Sequence, residues 1–210
     1  MNSSCNFADA FAAASPGPVL SCNLFPLNGI GPLRVTYNWL YSAVNADPND
    51  SSAFTWVINK VGSGGQVSLS PEAPFRGMTL YASVRPDYQY RVQVQAPFSA
   101  DWITAVGSDE ILTLIPQGFL IISLQGLNGC YLCADASQTS HDDHSGFLFS
   151  SASGSIAPAA SFLVLATQVH QDLDIPLGRD LDKADLVACL SAQGVVNPEA
   201  FAQHALSSIG

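Results

Sequence analysis

Charge is scarce in this chain. Asp, Glu, Lys and Arg make up 11% of its 210 residues, under half the usual share of about 25%. The exposed surface is therefore predicted to be built from Ser, Asn, Gln, Thr and Gly. Basic residues are the scarcest of all: seven Lys and Arg stand against seventeen Asp and Glu, a net charge of -10. They are scattered from Arg34 to Lys183, whereas binding to DNA or RNA needs a clustered basic footprint that displaces counterions from phosphates. Nucleic acid is excluded as an expected partner. An anionic membrane surface is disfavoured on the same ground. No stretch approaches the roughly 18 uninterrupted apolar residues of a spanning helix, so membrane insertion is not expected. The start, Met1-Asn2-Ser3-Ser4-Cys5-Asn6, carries no positive charge and precedes no apolar run of signal length. With no signal peptide visible, the compartment stays open between cytoplasm, export without a cleaved signal, and a mature form whose signal is gone.

Cysteine is also sparse. Five thiols, an odd number, do not make a dense disulfide framework. They are expected to pack as small hydrophobes, with Cys5 and Cys22 left as a pair that an oxidising compartment would allow. Catalytic signatures are missing too: there is no Gly-x-Ser-x-Gly elbow and no Walker-type phosphate loop. No catalytic residue, metal site or cofactor is assigned.

Strand signals are what the chain does hold. Leu33, Val35, Tyr37, Trp39 and Tyr41 alternate with Arg34, Thr36 and Asn38, and Tyr88, Tyr90, Val92 and Val94 alternate with polar neighbours. A period of two puts one apolar face on each strand. Further strands are predicted at 111–114, 119–124, 131–134, 147–149 and 162–165. Between them lie turn residues such as Gly62-Ser63-Gly64-Gly65, Asn128-Gly129 and Ser145-Gly146. About twelve short strands without a helix between residues 18 and 167 predict a closed or nearly closed antiparallel architecture.

A strand block also recurs. Three closing runs begin Ala53-Phe54-Thr55-Trp56, Ala100-Asp101-Trp102-Ile103 and Ala160-Ser161-Phe162-Leu163. Ahead of the second and third, Val67-Ser68-Leu69 matches Ile122-Ser123-Leu124, and Met78-Thr79-Leu80-Tyr81-Ala82-Ser83 matches Cys130-Tyr131-Leu132-Cys133-Ala134-Asp135. One such unit cannot bury its own apolar face, so three copies must pack on a shared interior.

The two ends differ from this middle. Residues 1–17 read as an N-terminal arm or short helical lead-in, because Ser15-Pro16-Gly17-Pro18 breaks any helix begun at Ala8 to Ala14. From residue 169 to 210 the period turns helical, with Leu186, Val187 and Leu190 on one face. Asp182 is a predicted N-cap with Asp185 in the first turn, Gly194 ends that helix, and Asn197-Pro198-Glu199 starts another. This helical hairpin is expected to dock on the β-domain, residues 18–168, through Leu186, Leu190, Phe201 and Leu206, or to bind a partner.

The segment Phe119-Leu120-Ile121-Ile122-Ser123-Leu124-Gln125-Gly126-Leu127-Asn128-Gly129-Cys130-Tyr131-Leu132 resembles the opening hairpin of a fascin-like or ricin-B-like β-trefoil repeat. There a strand ending in leucine leads through Asn-Gly to a Tyr-Leu strand. The resemblance covers about 150 residues and implies a mainly β fold: a pseudo-threefold antiparallel barrel and cap, here with a small C-terminal helical hairpin. It also implies a recognition module for glycans, protein partners or filaments. The ricin-type Gln-x-Trp repeat is absent, Phe54, Trp102 and Phe162 standing in the closing strands instead. A ricin-type sugar site is therefore not carried over.

Four clusters invite chemistry. His141-Asp142-Asp143-His144 has metal-capable side chains, but a site normally gathers further ligands from elsewhere, and a solvated acidic loop accounts for the same residues. Cys130-x-x-Cys133 has redox spacing, yet an odd offset in a strand sends the side chains to opposite faces, which favours packing. Asp172-x-Asp174 and Asp180-x-Asp182-x-x-Asp185 suggest calcium without the glycine and bidentate glutamate of an EF-hand loop; helix N-terminal acidity explains them more simply. The aromatic residues Tyr37, Trp39, Tyr41, Tyr81, Tyr88 and Tyr90 either fill the interior or stack sugars, and the loop Pro71-Glu72-Ala73-Pro74-Phe75 is a further contact candidate. Trp39, Tyr81, Tyr88 and Asn128 are the expected ligand-binding residues. The first expectation is a non-enzymatic domain that recognises a glycan or a protein surface. The alternative is a structural or assembly subunit, with oligomers allowed, and the third is a hydrolase with dispersed carboxylates.

Overall fold

Gly17–Pro26 opens the sheet as β1, an unbroken run in which every residue but Pro18 is buried. A strand buried on both sides must be covered on both faces, and its pairing partners show how. The structure is a computed structural model. It describes residues 7–29, 31–37, 42–46, 54–62, 64–72, 78–82, 92–95, 110–126, 129–139, 145–151 and 158–209. After β1 come β2 (Leu33–Tyr37), β3 (Ser42–Ala46), β4 (Trp56–Lys60), β5 (Gln66–Pro71), β6 (Thr79–Ala82), β7 (Val92–Gln95), β8 (Leu112–Gly118), β9 (Ile121–Gly126), β10 (Tyr131–Thr139), β11 (Ser145–Ser151) and β12 (Phe162–Val169).

Every named pairing is antiparallel. β1 lies between β12 and β4, β4 pairs with β5, β5 with β8, β8 with β9, and β9 returns to β12 through Phe162↔Ile122 and Leu163↔Ile121. Six strands thus close on themselves and leave no free edge. The other six form hairpins β2–β3, β6–β7 and β10–β11, joined through β3 to β7 and β11. In chain order, a hairpin separates the two barrel strands of each block.

The pairing re-phases the repeat. The strand that takes the place of β4 and β12 in the second block is β8, lying between β5 and β9, not the run Ala100 to Val106, which falls outside the described residues. The first block also shows its match: Leu20-Ser21-Cys22 on β1 occupies the place of Val67-Ser68-Leu69 on β5 and Ile122-Ser123-Leu124 on β9, all nine residues buried. The β4–β5 turn needs its last glycine for a close approach, since a Cβ on Gly65 would sit 2.8 Å from the Leu114 carbonyl oxygen of β8.

One apolar cluster unites the barrel with both chain ends. Trp56 is fully buried, and its indole N–H donates to the Leu33 carbonyl at 2.9 Å, tying β4 to β2. Residues Phe7–Ala13 form a helix, α1, whose Phe7 and Phe11 rings stack at 4.9 Å inside that cluster. The lead-in is thus a docked helix, held because its two phenylalanines reach core. At the other end α2 (Lys183–Ala192) and α3 (Pro198–Ser207) start at the predicted caps. The Asp182 carboxylate accepts from the Ala184 and Asp185 amides, and the Asn197 side chain from Ala200. Leu186 and Leu190 are fully buried, with Phe201 and Leu206 packed at the margin of the cluster.

Candidate functional site

Two arrangements of side chains stand out on this scaffold. The first is polar. Ser21 lies in β1, Glu72 directly after β5 and His170 directly after β12, the last two fixed by backbone bonds to Thr55 and Val19. The Ser21 hydroxyl donates to Glu72 Oε1 at 2.7 Å, and His170 Nε2 lies 2.9 Å from Ser21 Oγ. A serine hydroxyl has one proton. With that proton directed at the Glu72 carboxylate, Nε2 must carry its own proton and donate to Oγ, the reverse of the role a general base takes toward a nucleophile. Ser21 is 2% exposed. The trio is a hydrogen-bonded chain that fastens β1 to the ends of β5 and β12.

Its neighbours reinforce that reading. Gln171 Nε2 donates to the Ser15 and Pro18 carbonyls at 3.0 and 2.9 Å while its Oε1 accepts from the Ser15 amide, so the start of the tail is sewn to the start of β1. Burial pushes the Cys22 thiol far above its ordinary range, and the nearby Glu72 charge adds to this. Burial also raises Cys189, whose Sγ donates to the Phe119 carbonyl at 3.1 Å.

The second arrangement is a groove of about 360 Å³ between α3 and the turn after β1, lined by Phe25, Gly29, Phe201 and His204 among others. The His204 ring meets Phe25 edge-on at 6.3 Å. Val196, 90% exposed, stands on its rim. Sequence reasoning placed Phe201 only as a docking contact. The missed signal was the spacing of Asn197, Ala200, Phe201 and His204, which shares one helical face while Ala202 and Ala205 take the core.

Of the residues expected to bind ligand, only Tyr81 is among those the structure describes. Tyr81 is in β6, its backbone opposite Gln93 of β7. Trp39, Tyr88 and Asn128 lie outside the described residues, as do Cys5, Tyr41, Tyr90, Trp102 and the cluster His141-Asp142-Asp143-His144. Tyr37 ends β2. Of the 71–75 loop, Glu72 is described and is committed to Ser21. Cys130 precedes β10 and Cys133 sits within it, buried. Asp182 of the acidic run is spent as a helix cap, and among the described residues no three His, Cys, Asp or Glu side chains converge on one point.

No protein-family model matches this chain, and no curated protein matches it. Similar solved structures include the botulinum neurotoxin serotype D binding domain, at TM-score 0.53 and 9% identity over 73% of this chain and 42% of that one. Cry35Ab1 aligns at TM-score 0.52 and 17% identity over 75% of this chain and 38% of that one. The S. cerevisiae protein O-mannosyltransferase Pmt1-Pmt2 complex aligns at TM-score 0.53 and 11% identity, over 81% of this chain and 29% of that one. The match spans less than half of each of these chains, and at such identities the likeness is one of fold. The chain is a mainly β protein with a closed six-stranded barrel, and its overall fold is like that of these structures.

Proposed function

We propose that this chain is a non-enzymatic β-trefoil recognition domain that engages a glycan or a protein surface through the loops of its cap. In this reading β1, β4, β5, β8, β9 and β12 are the barrel, the three hairpins are the cap, and residues 169–210 are an appended helical tail. The observation that carries it is the division of the strands: six close on themselves as a rigid support, and three hairpins carry connections free to vary. Trp39 falls in the connection between β2 and β3, and Tyr88 in that between β6 and β7. Asn128 falls between β9 and β10. Together with Tyr81 they are the proposed contact residues, aromatic rings supplying stacking faces and the amide supplying directed hydrogen bonds. One neighbour named above, a neurotoxin binding domain, supports a binding role by analogy of fold.

The test is an array of neutral glycans probed with the intact chain, followed by Trp39→Ala and Tyr88→Ala. Binding that drops about tenfold or more in both variants supports the reading. No glycan bound removes the lectin version and leaves protein recognition. An assembly role is the second reading, favoured by the exposed Val196 beside an apolar groove; a strict monomer in light scattering at high concentration argues against it.

A further inference from the structure

The groove beside α3 is built from α3 and the turn after β1 and has its own chemistry. Its floor is Phe25, 1% exposed, and its walls are the Phe201 and His204 rings on one side and Gly29 on the other. The glycine matters: a Cβ at Gly29 would already stand 3.9 Å from Phe201 Cδ2, so any longer side chain would extend into the opening. A space of about 360 Å³ takes a single bulky side chain, and an apolar lining rewards an apolar one.

We propose that this groove docks a cationic segment of a partner protein, which inserts one aromatic or branched aliphatic side chain between Phe25 and Phe201. The sign of the partner follows from charge. No lysine or arginine lines the groove among the described residues. Residues 171–210 hold six acidic against two basic side chains within a chain of net charge -10, a field that steers positive partners inward and repels negative ones. A second copy of this chain would bring the same negative field. The nine lining residues also fall well short of the roughly 20–30 per side that a standard protein interface uses, which suits a short segment.

Fluorescence anisotropy with three labelled peptides tests this: a lysine- and arginine-rich peptide with one central tryptophan, the same peptide with alanine at the centre, and a glutamate-rich peptide with the tryptophan. The first is expected to bind, the other two at least about tenfold more weakly, and added salt to weaken the first. Ala200→Trp fills the groove from an exposed helical position and is expected to lower affinity at least about tenfold with an unchanged circular dichroism spectrum. Should that variant unfold, Gly29→Asn serves instead, since asparagine tolerates the positive φ of 80° there. Equal binding of the cationic and acidic peptides, or binding untouched by the groove-filling variant, overturns the proposal. So does a concentration-dependent dimer that Ala200→Trp dissolves, which would assign the groove to a second copy. Glycan binding at the cap, read on the same variants, is expected to persist, so failure of one site is told apart from failure of the other.

Discussion

The ammonium of Lys60 lies 2.7 Å from the carbonyl oxygen of Ala14, joining the last residue of β4 to the end of α1. The same nitrogen donates to Phe11 at 2.8 Å and to Ala12 at 3.1 Å. All three ammonium protons are thereby spent on carbonyls that a helix end leaves without partners, at the negative pole of the helix dipole. A seven-residue helix has little stability of its own, so α1 depends on this clamp and on Phe7 and Phe11. Lys60→Met is expected to cost about 1–3 kcal/mol, the penalty for orphaned buried acceptors. It should also speed proteolysis within residues 7–14. Lys60→Arg should not restore stability, because a planar guanidinium cannot spread three donors as an ammonium does. Urea midpoints measure both; an unshifted midpoint in Lys60→Met would refute the clamp.

The helix caps give a sharper pair of expectations because they differ in backbone. Asp182 has extended φ and ψ, and its carboxylate holds two amides; Asp182→Ala should cost about 1 kcal/mol. Asn197 caps α3 from a left-handed conformation, φ 55° and ψ 61°. Glycine there loses the cap bond but relieves the backbone, so Asn197→Gly is expected within about 0.5 kcal/mol of the parent. Asn197→Val should cost more than Asp182→Ala, since a β-branched residue resists positive φ. Thermal melts of the three variants check the order, and a neutral Asn197→Val would contradict the left-handed cap.

How much of this was legible in the sequence depends on how local each signal is. The caps at Asp182 and Asn197 were readable because a cap is a matter of a few adjacent residues. So was the turn ahead of β10, where Gly129 takes φ 82°. The short antiparallel strands among the described residues followed from period and punctuation. The phase of the repeat was not readable: Trp102 and its neighbours look as strand-like as Leu112 to Leu114, and only the pairing of β5 and β9 with β8 chooses between them. Leu20-Ser21-Cys22 escaped as the first copy because cysteine replaces the leucine of the other two. The Ser21–Glu72–His170 chain joins residues 51 and 149 positions apart, a separation that no spacing rule covers. Lys60 read only as one of seven scattered cations, and folding buries it.

Thiol ionisation links stability to alkaline pH. Burial raises Cys22 above the ordinary thiol value of 9.0, with Glu72 acting in the same direction. Above about pH 9 an unfolded Cys22 loses its proton while the folded one keeps it, so the unfolded state binds fewer protons and stability falls as pH rises. The contribution is fully present below that pH. One such group gives a slope of up to about 1.4 kcal/mol per pH unit. Comparing urea midpoints near pH 8 and near pH 10 should show a shallower decline in Cys22→Ala than in the parent. Alkylation mapped by mass spectrometry should find Cys22 unlabelled until the chain unfolds; equal labelling in native and denatured protein would contradict its burial.

The Ser21 chain decides between a recognition domain and a hydrolase at the one place where serine, histidine and a carboxylate meet among the described residues. A hydrolytic serine needs an exposed oxygen, a histidine that accepts its proton, and a carboxylate on the far nitrogen of that histidine. Here the serine is 2% exposed and the carboxylate holds the serine itself. A fluorophosphonate probe is therefore expected to leave Ser21 unmodified. Ser21→Ala should cost about 1 kcal/mol through the lost hydrogen bonds and leave glycan or peptide binding unchanged. Covalent labelling of Ser21 that disappears in His170→Ala would show that Nε2 does take the serine proton, and would return the hydrolase reading to first place.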